Sequence, residues 1–160
     1  MRRFRLFVDL DGVLADFDRG VLEATGRYPT QMSDREMWPL VAKVSGFYEH
    51  LPWMPDGRQL WEYVVPFNPI ICTGLPRGNW AEPQKRQWCR RELGPEVPVL
   101  TCLSRDKGQA AREFLDADET PILIDDRLKS QPGWVDLGGL FVLHTSAQDS
   151  IQALRELGLA

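Results

Sequence analysis

Apolar runs of strand length recur along the whole chain, and they constrain its fold more than any other feature. The runs cover residues 4–8, 69–72, 97–102, 121–124 and 140–144. Helix-like stretches separate most of them, and the clearest cover 80–93, 106–115 and 147–157. Strands that alternate with helices predict a parallel sheet with helices on both faces. Near-continuous apolar strands are typical of sheets covered on both sides, so we expect an α/β fold of three layers.

The segment 17–66 interrupts this alternation. It contains predicted helices over 18–25, 33–44 and 56–64, a turn at 26–29, and an aromatic loop at 46–53. No flexible linker, repeat or low-complexity stretch separates the segment from its surroundings. We therefore predict one domain over residues 1–160, in which 17–66 form a small helical cap over the carboxyl-terminal edge of the sheet.

Composition narrows the classes of protein that fit. The 160 residues are 43% apolar and 26% charged, which is typical of a folded domain. The net charge of −4 argues against a surface that coats nucleic acid, although a few local cations could still bind a small anion. Asp9 cuts short the first apolar run, so we expect neither a signal peptide nor a membrane partner. Three cysteines without a C-x-x-C pair favour reduced thiols and a cytoplasmic location.

Two acidic residues directly follow the first predicted strand. Asp9 and Asp11 are two residues apart, so both side chains can address the same small volume, and Gly12 lets the chain turn there. Like charges this close are costly unless a cation or a shared proton relieves them. A divalent cation bound by carboxylate oxygens would reduce this repulsion. The alternative to a metal site is an ordinary Asp-Gly turn beside an acidic residue that has no function.

Further polar residues follow later strands, which is where an open α/β sheet builds its site. Thr73 and Gly74 can present a hydroxyl and an N–H to an anion. Asp125 and Asp126 end another strand. Either Lys85 or Lys107 could offset the charge between a carboxylate and a phosphate. Each of these features alone is also compatible with a turn or a solvated surface. Their occurrence in one order, each near the end of a strand, is a more specific indication of a functional site.

That order of acid pair, hydroxyl, lysine and acid pair resembles the motifs of the haloacid dehalogenase superfamily, which is mostly Mg²⁺-dependent phosphatases. The resemblance implies a sheet order of 3-2-1-4-5 with the Asp9 strand at the centre. It implies that Asp9 is the nucleophile that becomes an aspartyl phosphate and that Asp11 is the general acid and base. The implied ligands of Mg²⁺ are Asp9, the backbone carbonyl of Asp11, and Asp125 or Asp126.

Within the superfamily, several stretches are similar to the 5′(3′)-deoxyribonucleotidases, which dephosphorylate deoxynucleoside monophosphates. The stretches are 9–17, 71–73, 105–107, 123–127 and 46–57. This similarity makes Lys85 the motif lysine, with Arg105 and Lys107 as additional phosphate contacts beside Thr73 and Gly74. It implies that aromatic residues cradle the base, and the matching candidates are Phe17, Phe47 and Trp38.

The chain also departs from that family. Gly74 stands where these nucleotidases commonly carry Ser, the cap is shorter, and Pro83-Gln84-Lys85 matches only loosely. A shallow cap could admit the end of a polynucleotide. The similarity at the motifs nevertheless favours a deoxynucleotide monophosphatase that acts on a small phosphorylated substrate. A phosphatase of polynucleotide 3′ ends or other small phosphoesters is the second hypothesis, and a non-catalytic binding protein is the third.

Overall fold

One parallel sheet organises the structure, a computed structural model that describes residues 2–160. Its strands are β1 (Arg3–Val8), β2 (Ile70–Gly74), β3 (Val99–Cys102), β4 (Glu119–Asp125) and β5 (Leu140–Leu143). They lie in the order β3-β2-β1-β4-β5, and all four pairings are parallel. The α/β fold and the strand order expected from the sequence are therefore confirmed.

Seven helices and five short 3-10 turns connect the strands within residues 2–160. The helices are α1 (Phe17–Thr25), α2 (Asp34–Ala42), α3 (Gly57–Val64), α4 (Ala81–Glu92), α5 (Lys107–Ala111), α6 (Gln131–Asp136) and α7 (Ala147–Glu156). The 3-10 turns are Pro29–Gln31, Val65–Phe67, Ser104–Asp106, Arg112–Phe114 and Leu128–Ser130. The predicted cap of α7 is present, since the Ser146 hydroxyl accepts a hydrogen bond from the Asp149 N–H at 3.1 Å.

The two faces of the sheet bury different clusters. On β1, Leu6 and Val8 belong to the larger cluster, whereas Phe7 points to the other face, as alternation along a strand requires. There Phe7 meets Trp134 of α6, with ring centroids 5.1 Å apart. The sequence did not predict α6, because Pro132 and Gly133 hide the helical signal of this six-residue segment.

Contacts with α7 and α4 help to attach the segment between β1 and β2 to the rest of the structure. Helix α3 packs against α7. The loop before α3 is fixed to α4, since Trp88 Nε1 donates to the Leu51 carbonyl at 2.8 Å and the Tyr48 N–H donates to Gln84 Oε1 at 2.9 Å. The single domain 1–160 with a cap at 17–66 stays a prediction. None of the helices described in residues 2–160 combines the length and apolar character that crossing a membrane requires.

Candidate active site

Charged side chains meet at the carboxyl-terminal edge of the sheet. Val8 of β1 pairs with Ile124 of β4, and the Asp9 N–H donates to the Ile124 carbonyl at 2.9 Å. Asp9 and Asp125 therefore follow paired residues on adjacent strands. Oxygens of Asp9, Asp125 and Asp126 all lie within 4.8 Å of one another. We call the following set the polar floor: Asp9, Asp11, Thr73, Lys85, Lys107, Asp125 and Asp126.

Lys107 joins the two strands through a buried ion pair. Its Nζ donates to Asp9 Oδ1 at 3.0 Å and to Asp125 Oδ2 at 2.8 Å. Burial opposes the charge of this lysine, but the two carboxylates outweigh that effect and raise the pKa of Lys107 above its ordinary value. The site thus contains a fixed positive charge beside Asp9.

Lys85 lies on the other side of the polar floor. Its side chain is buried, and its Nζ donates to Asp11 Oδ2 at 2.8 Å, Thr73 Oγ1 at 2.9 Å and the Gly74 carbonyl at 2.7 Å. The sequence similarity made Lys85 the lysine that offsets the charge of Asp9. In the structure that contact belongs to Lys107, because α5 follows β3 after one residue and a 3-10 turn, and its first side chain reaches the β1–β4 edge. Lys85 instead links Asp11 to Thr73.

The three clustered carboxylates have different electrostatic environments. Burial, opposed by Lys107 and reinforced by the other acids, raises the pKa of Asp9 well above its usual range. Burial also raises the pKa of Asp126. Burial acts in the same direction on Asp125, but Lys107, the Arg127 N–H and Ser130 outweigh it, so the pKa of Asp125 is lowered. The floor holds more negative charge than Lys107 alone neutralises.

Gly12 makes room for Asp126. A Cβ at position 12 would lie 2.1 Å from Asp126 Oδ2, and the φ angle of Gly12 is +79°, a conformation that favours glycine. Both oxygens of Asp125 already accept hydrogen bonds, Oδ2 from Lys107 and Oδ1 from the Arg127 N–H. Asp126 therefore has more freedom than Asp125 to bind a ligand.

The polar floor fits a divalent cation. Its clustered donors are carboxylate oxygens from three residues, the ligand type that Mg²⁺ prefers. The excess of carboxylates over buried cations supplies the charge that such an ion would neutralise. Asp9 and Asp126 are the residues best placed to bind it, with Asp125 oriented by Lys107. The role of the Asp11 backbone carbonyl in metal binding stays a prediction.

A cavity of about 330 Å³ opens above the floor, and aromatic rings form one side of it. Phe17, Trp38 and Tyr48 line the cavity, and we call these three the aromatic wall. The ring of Phe17 is 5.9 Å from that of Trp38 and 6.0 Å from that of Tyr48. Two of the three aromatic residues predicted to contact a base, Phe17 and Trp38, thus face the cavity.

The third predicted aromatic residue does not reach the cavity. Phe47 lies behind the wall, in edge-to-face contact with Phe17 at 5.7 Å and with Tyr48 at 5.1 Å. Tyr48 takes the place expected of Phe47, and Lys85 Nζ lies 4.5 Å from the centre of its ring. Tyr48 was not predicted to contact the substrate, and its only signal in the sequence was its place in the aromatic loop 46–53.

Two hydroxyls and an amide lie near the expected phosphate position. Thr73 is fully buried and bonded to Lys85. Gly74 lines the cavity, and a Cβ on it would lie 2.1 Å from Ser104 Oγ. Ser104 also lines the cavity, so its hydroxyl occupies space that a side chain at position 74 would need. No motif predicted a role for Ser104, which follows β3 after one intervening residue.

The outer cations differ from those expected. Arg105 is exposed, and it is not among the residues of the described chain, 2–160, that line the cavity. The phosphate contact predicted for Arg105 therefore has no support in this geometry, because its backbone faces Gly133 while its side chain points to solvent. Arg127 and Lys129 line the cavity instead, from the loop that follows β4.

Known structures share this arrangement of strands and helices. A hydrolase from Streptococcus pneumoniae TIGR4 superposes with a TM-score of 0.60 at 14% identity, covering 97% of this chain and all of that chain (100%). A haloacid dehalogenase-like family hydrolase from Streptococcus pneumoniae gives 0.59 at 14% identity, with 94% of this chain and 90% of that chain covered. A predicted phosphatase from Clostridium acetobutylicum gives 0.57 at 11% identity, with 99% and 92% covered.

These likenesses establish the class of fold. The chain has the fold of the haloacid dehalogenase-like hydrolases, as the motif order of its sequence indicated. No protein-family model matches the sequence. At identities of 11–15% the structural likeness defines the fold and leaves the reaction to be argued from the site.

Proposed function

We propose that this protein is a Mg²⁺-dependent phosphatase that works through an aspartyl phosphate on Asp9 and acts on deoxynucleoside monophosphates. One observation carries the proposal: oxygens of Asp9, Asp125 and Asp126 lie within 4.8 Å of one another, and Asp9 lines a cavity that has an aromatic wall. Carboxylates so clustered suit a metal-assisted transfer of an anionic group, and flat rings above them suit a nucleobase.

In the first step, Asp9 attacks the substrate phosphorus, and the ester bond to the nucleoside oxygen breaks. Gly74, Ser104 and Lys85 line the cavity, which supports a role for the Gly74 N–H, the Ser104 hydroxyl and the Lys85 ammonium in binding the phosphoryl oxygens. The buried Thr73 hydroxyl accepts from Lys85 at 2.9 Å and supports the same role beside it. Lys107 keeps Asp9 in position at 3.0 Å. A bound Mg²⁺ would neutralise the negative charge shared by the carboxylates and the phosphoryl group.

Asp11 moves the proton in both steps. One of its oxygens, Oδ2, accepts from Lys85 at 2.8 Å, whereas Oδ1 is buried without a hydrogen-bond partner in the described residues. A buried acceptor without a partner is costly, so it suits an atom that exchanges a proton with a ligand. Asp11 protonates the departing nucleoside oxygen. It then takes a proton from the water that attacks the aspartyl phosphate, which releases phosphate and restores the Asp9 carboxylate.

The aromatic wall provides the affinity for the nucleoside. Stacking of a base on an aromatic side chain contributes typically about 1–3 kcal/mol. Phe17 and Tyr48 both line the cavity, and their stacked rings are inclined by only 25°, so the wall offers apolar rings of similar orientation to a flat group. A sugar phosphate would reach the polar floor but would gain little from this surface.

A phosphate-release screen tests the proposal. Deoxynucleoside monophosphates, sugar phosphates and phenyl phosphate are compared with and without Mg²⁺, and Asp9→Asn serves as the matched inactive variant. We expect Mg²⁺-dependent release that is fastest with the mononucleotides and is abolished in Asp9→Asn, whose circular dichroism stays native. Full activity of Asp9→Asn, or no release from any compound by the wild-type protein, would overturn the proposal.

A further inference from the structure

A second opening continues from the cavity above the polar floor. It is a groove of about 590 Å³ between α2 and the loop that connects β2 to α4. The groove and the cavity share four lining residues, so one ligand can extend through both. These residues are Asp34, Trp38, Leu75 and Pro76.

The groove combines flat apolar surfaces with two arginines, which outnumber the one acidic residue, Asp34, that the described part of the chain places there. Trp38 and Trp80 line it, as do the guanidinium-bearing Arg35 and Arg77. Both arginines are exposed, and within residues 2–160 neither side chain forms an ion pair. Indole rings stack on bases, and free guanidinium groups bind phosphate oxygens. This mixture favours a ligand that is both aromatic and anionic.

Trp80 is fixed in the orientation that the groove requires. Its Nε1 donates to the Arg77 carbonyl at 3.1 Å, and its ring lies 5.4 Å from that of Tyr48, tilted by 32°. Tyr48 belongs to the aromatic wall, so ring-to-ring contacts run from Phe17 through Tyr48 to Trp80 without interruption. A stacked ligand in the cavity would therefore be followed by a second stacking surface in the groove.

We propose that this groove binds the second nucleotide of a short, phosphate-terminated oligonucleotide. The inference rests on the proposed function, since the terminal phosphate occupies the polar floor and the terminal base contacts the aromatic wall. The next base then stacks on Trp38 or Trp80, and the phosphodiester that joins the two nucleotides pairs with Arg35 or Arg77. The net charge of −4 favours a short oligonucleotide over a long polyanion that would extend beyond these two arginines.

Thymidine monophosphates and phosphate-terminated thymidine dinucleotides test the inference. Both the 5′- and the 3′-phosphorylated forms are used, so that each dinucleotide has its matching mononucleotide. We expect one dinucleotide to have a kcat/KM about tenfold or more above its mononucleotide, the gain that one additional stacked base gives. Binding to the Asp9→Asn variant, measured by calorimetry, should show the same preference.

Two variants test whether the higher kcat/KM of the dinucleotide arises from contacts in the groove. Arg77→Ala removes an exposed charge while keeping the backbone carbonyl that fixes Trp80, and Ala42→Glu introduces a negative charge at a residue that lines only the groove. Each should remove most of the advantage of the dinucleotide and leave the mononucleotide unaffected. Arg90→Ala, an exposed arginine in the last turn of α4 outside the groove, is the matched control and should change neither substrate.

The outcomes separate the two proposals. Hydrolysis of mononucleotides without any preference for a dinucleotide, or a preference that Arg77→Ala and Ala42→Glu leave intact, would overturn the groove inference and leave the phosphatase intact. No hydrolysis of any substrate would overturn the phosphatase. In that case tighter binding of the dinucleotide to wild-type protein, lost in Arg77→Ala, would still support the groove, and equal binding would overturn it.

Discussion

The polar floor and the aromatic wall form two sides of one cavity, but the chain builds them in different ways. The acids and Thr73 of the floor lie at or just after the ends of strands, and the hydrogen bond between the Asp9 N–H and the Ile124 carbonyl fixes Asp9 beside Asp125. Its two lysines come from α4 and α5. The wall residues come from α1, α2 and a loop, and only packing of their side chains brings Phe17, Trp38 and Tyr48 together.

Because of this difference, we expect substitutions on the floor and on the wall to have different effects. Substitutions on the floor disturb buried charges, whose partners are then left unpaired, so their effects on stability and chemistry are large. Substitutions on the wall alter contacts with a substrate and the packing of apolar side chains, which neighbouring rings share. We therefore expect the chemistry to depend on the floor and the affinity for substrate to depend on the wall.

The largest effect is expected for Lys107→Met. It leaves Asp9 and Asp125 buried without their common cation, which should lower the free energy of unfolding by about 3–5 kcal/mol and abolish phosphate release. Urea denaturation without Mg²⁺ measures the first effect. Lys43→Met, at an exposed lysine after α2, is the control and should leave stability unchanged. Equal stabilities of the two variants would show that the ion pair does not support the floor.

Gly12→Ala and Gly26→Ala form a matched pair. Their φ angles are +79° and +78°, but a Cβ at position 12 would clash with Asp126. At position 26 a Cβ would meet no atom of residues 2–160 within 4 Å. Both variants should lose about 1–2 kcal/mol of stability from backbone strain. Only Gly12→Ala should weaken Mg²⁺ binding, by about tenfold or more. Calorimetric titration with Mg²⁺ measures the affinity of each variant. Equal Mg²⁺ affinities of Gly12→Ala and Gly26→Ala would show that Asp126 does not bind the metal.

A comparison of Phe17→Leu with Phe47→Leu tests the wall itself. Both residues are buried in the same aromatic cluster, but only Phe17 lines the cavity. Phe17→Leu should raise KM for a deoxynucleotide about fivefold or more, because stacking is weakened, and should raise KM for phenyl phosphate less. Phe47→Leu should reduce stability while leaving both KM values nearly unchanged. Steady-state kinetics check this, and identical KM profiles would mean that the wall does not bind the base.

The smallest effect concerns a part of the sheet edge outside the floor. His144 follows β5, its ring contacts Ser150 Oγ at 2.8 Å, and burial, only partly opposed by Asp56, lowers its pKa. Below about pH 6.5, the unfolded chain therefore binds a proton that the folded chain still excludes. Stability should fall as the pH decreases through this window, by at most about 1.4 kcal/mol per pH unit, and level off below the folded pKa.

Replacement of His144 tests whether this residue causes the pH dependence of stability. Thermal denaturation of His144→Gln between pH 7 and about pH 5 should show a weaker pH dependence than the wild-type protein. His50→Gln, at the exposed second histidine of the chain, should keep the wild-type slope. Unchanged slopes in both variants would show that His144 is not the group that titrates.

The floor was largely predictable from sequence, and the wall was not. Acids, a hydroxyl and glycines at strand ends are local signals, since the carboxyl ends of parallel strands share one edge. The sequence could not show whether Lys85 or Lys107 pairs with Asp9, because that contact depends on where α4 and α5 lie against the sheet. Aromatic residues give no comparable signal: Phe47 and Tyr48 are neighbours, and only packing decides which one faces the cavity. Helix α6 was missed because its six residues include Pro132 and Gly133.

The central claim is that Asp9 bonds covalently to the phosphoryl group of the substrate. Asp11→Asn provides a direct test with an activated aryl phosphate, whose leaving group departs without a proton, because the variant keeps the nucleophile but lacks the base that activates water. After a short reaction with this substrate and Mg²⁺, acid quench and peptide mass spectrometry should show one added phosphoryl group on Asp9. A phosphoryl group on another residue, or an unmodified Asp9 while phosphate is released, would contradict the account.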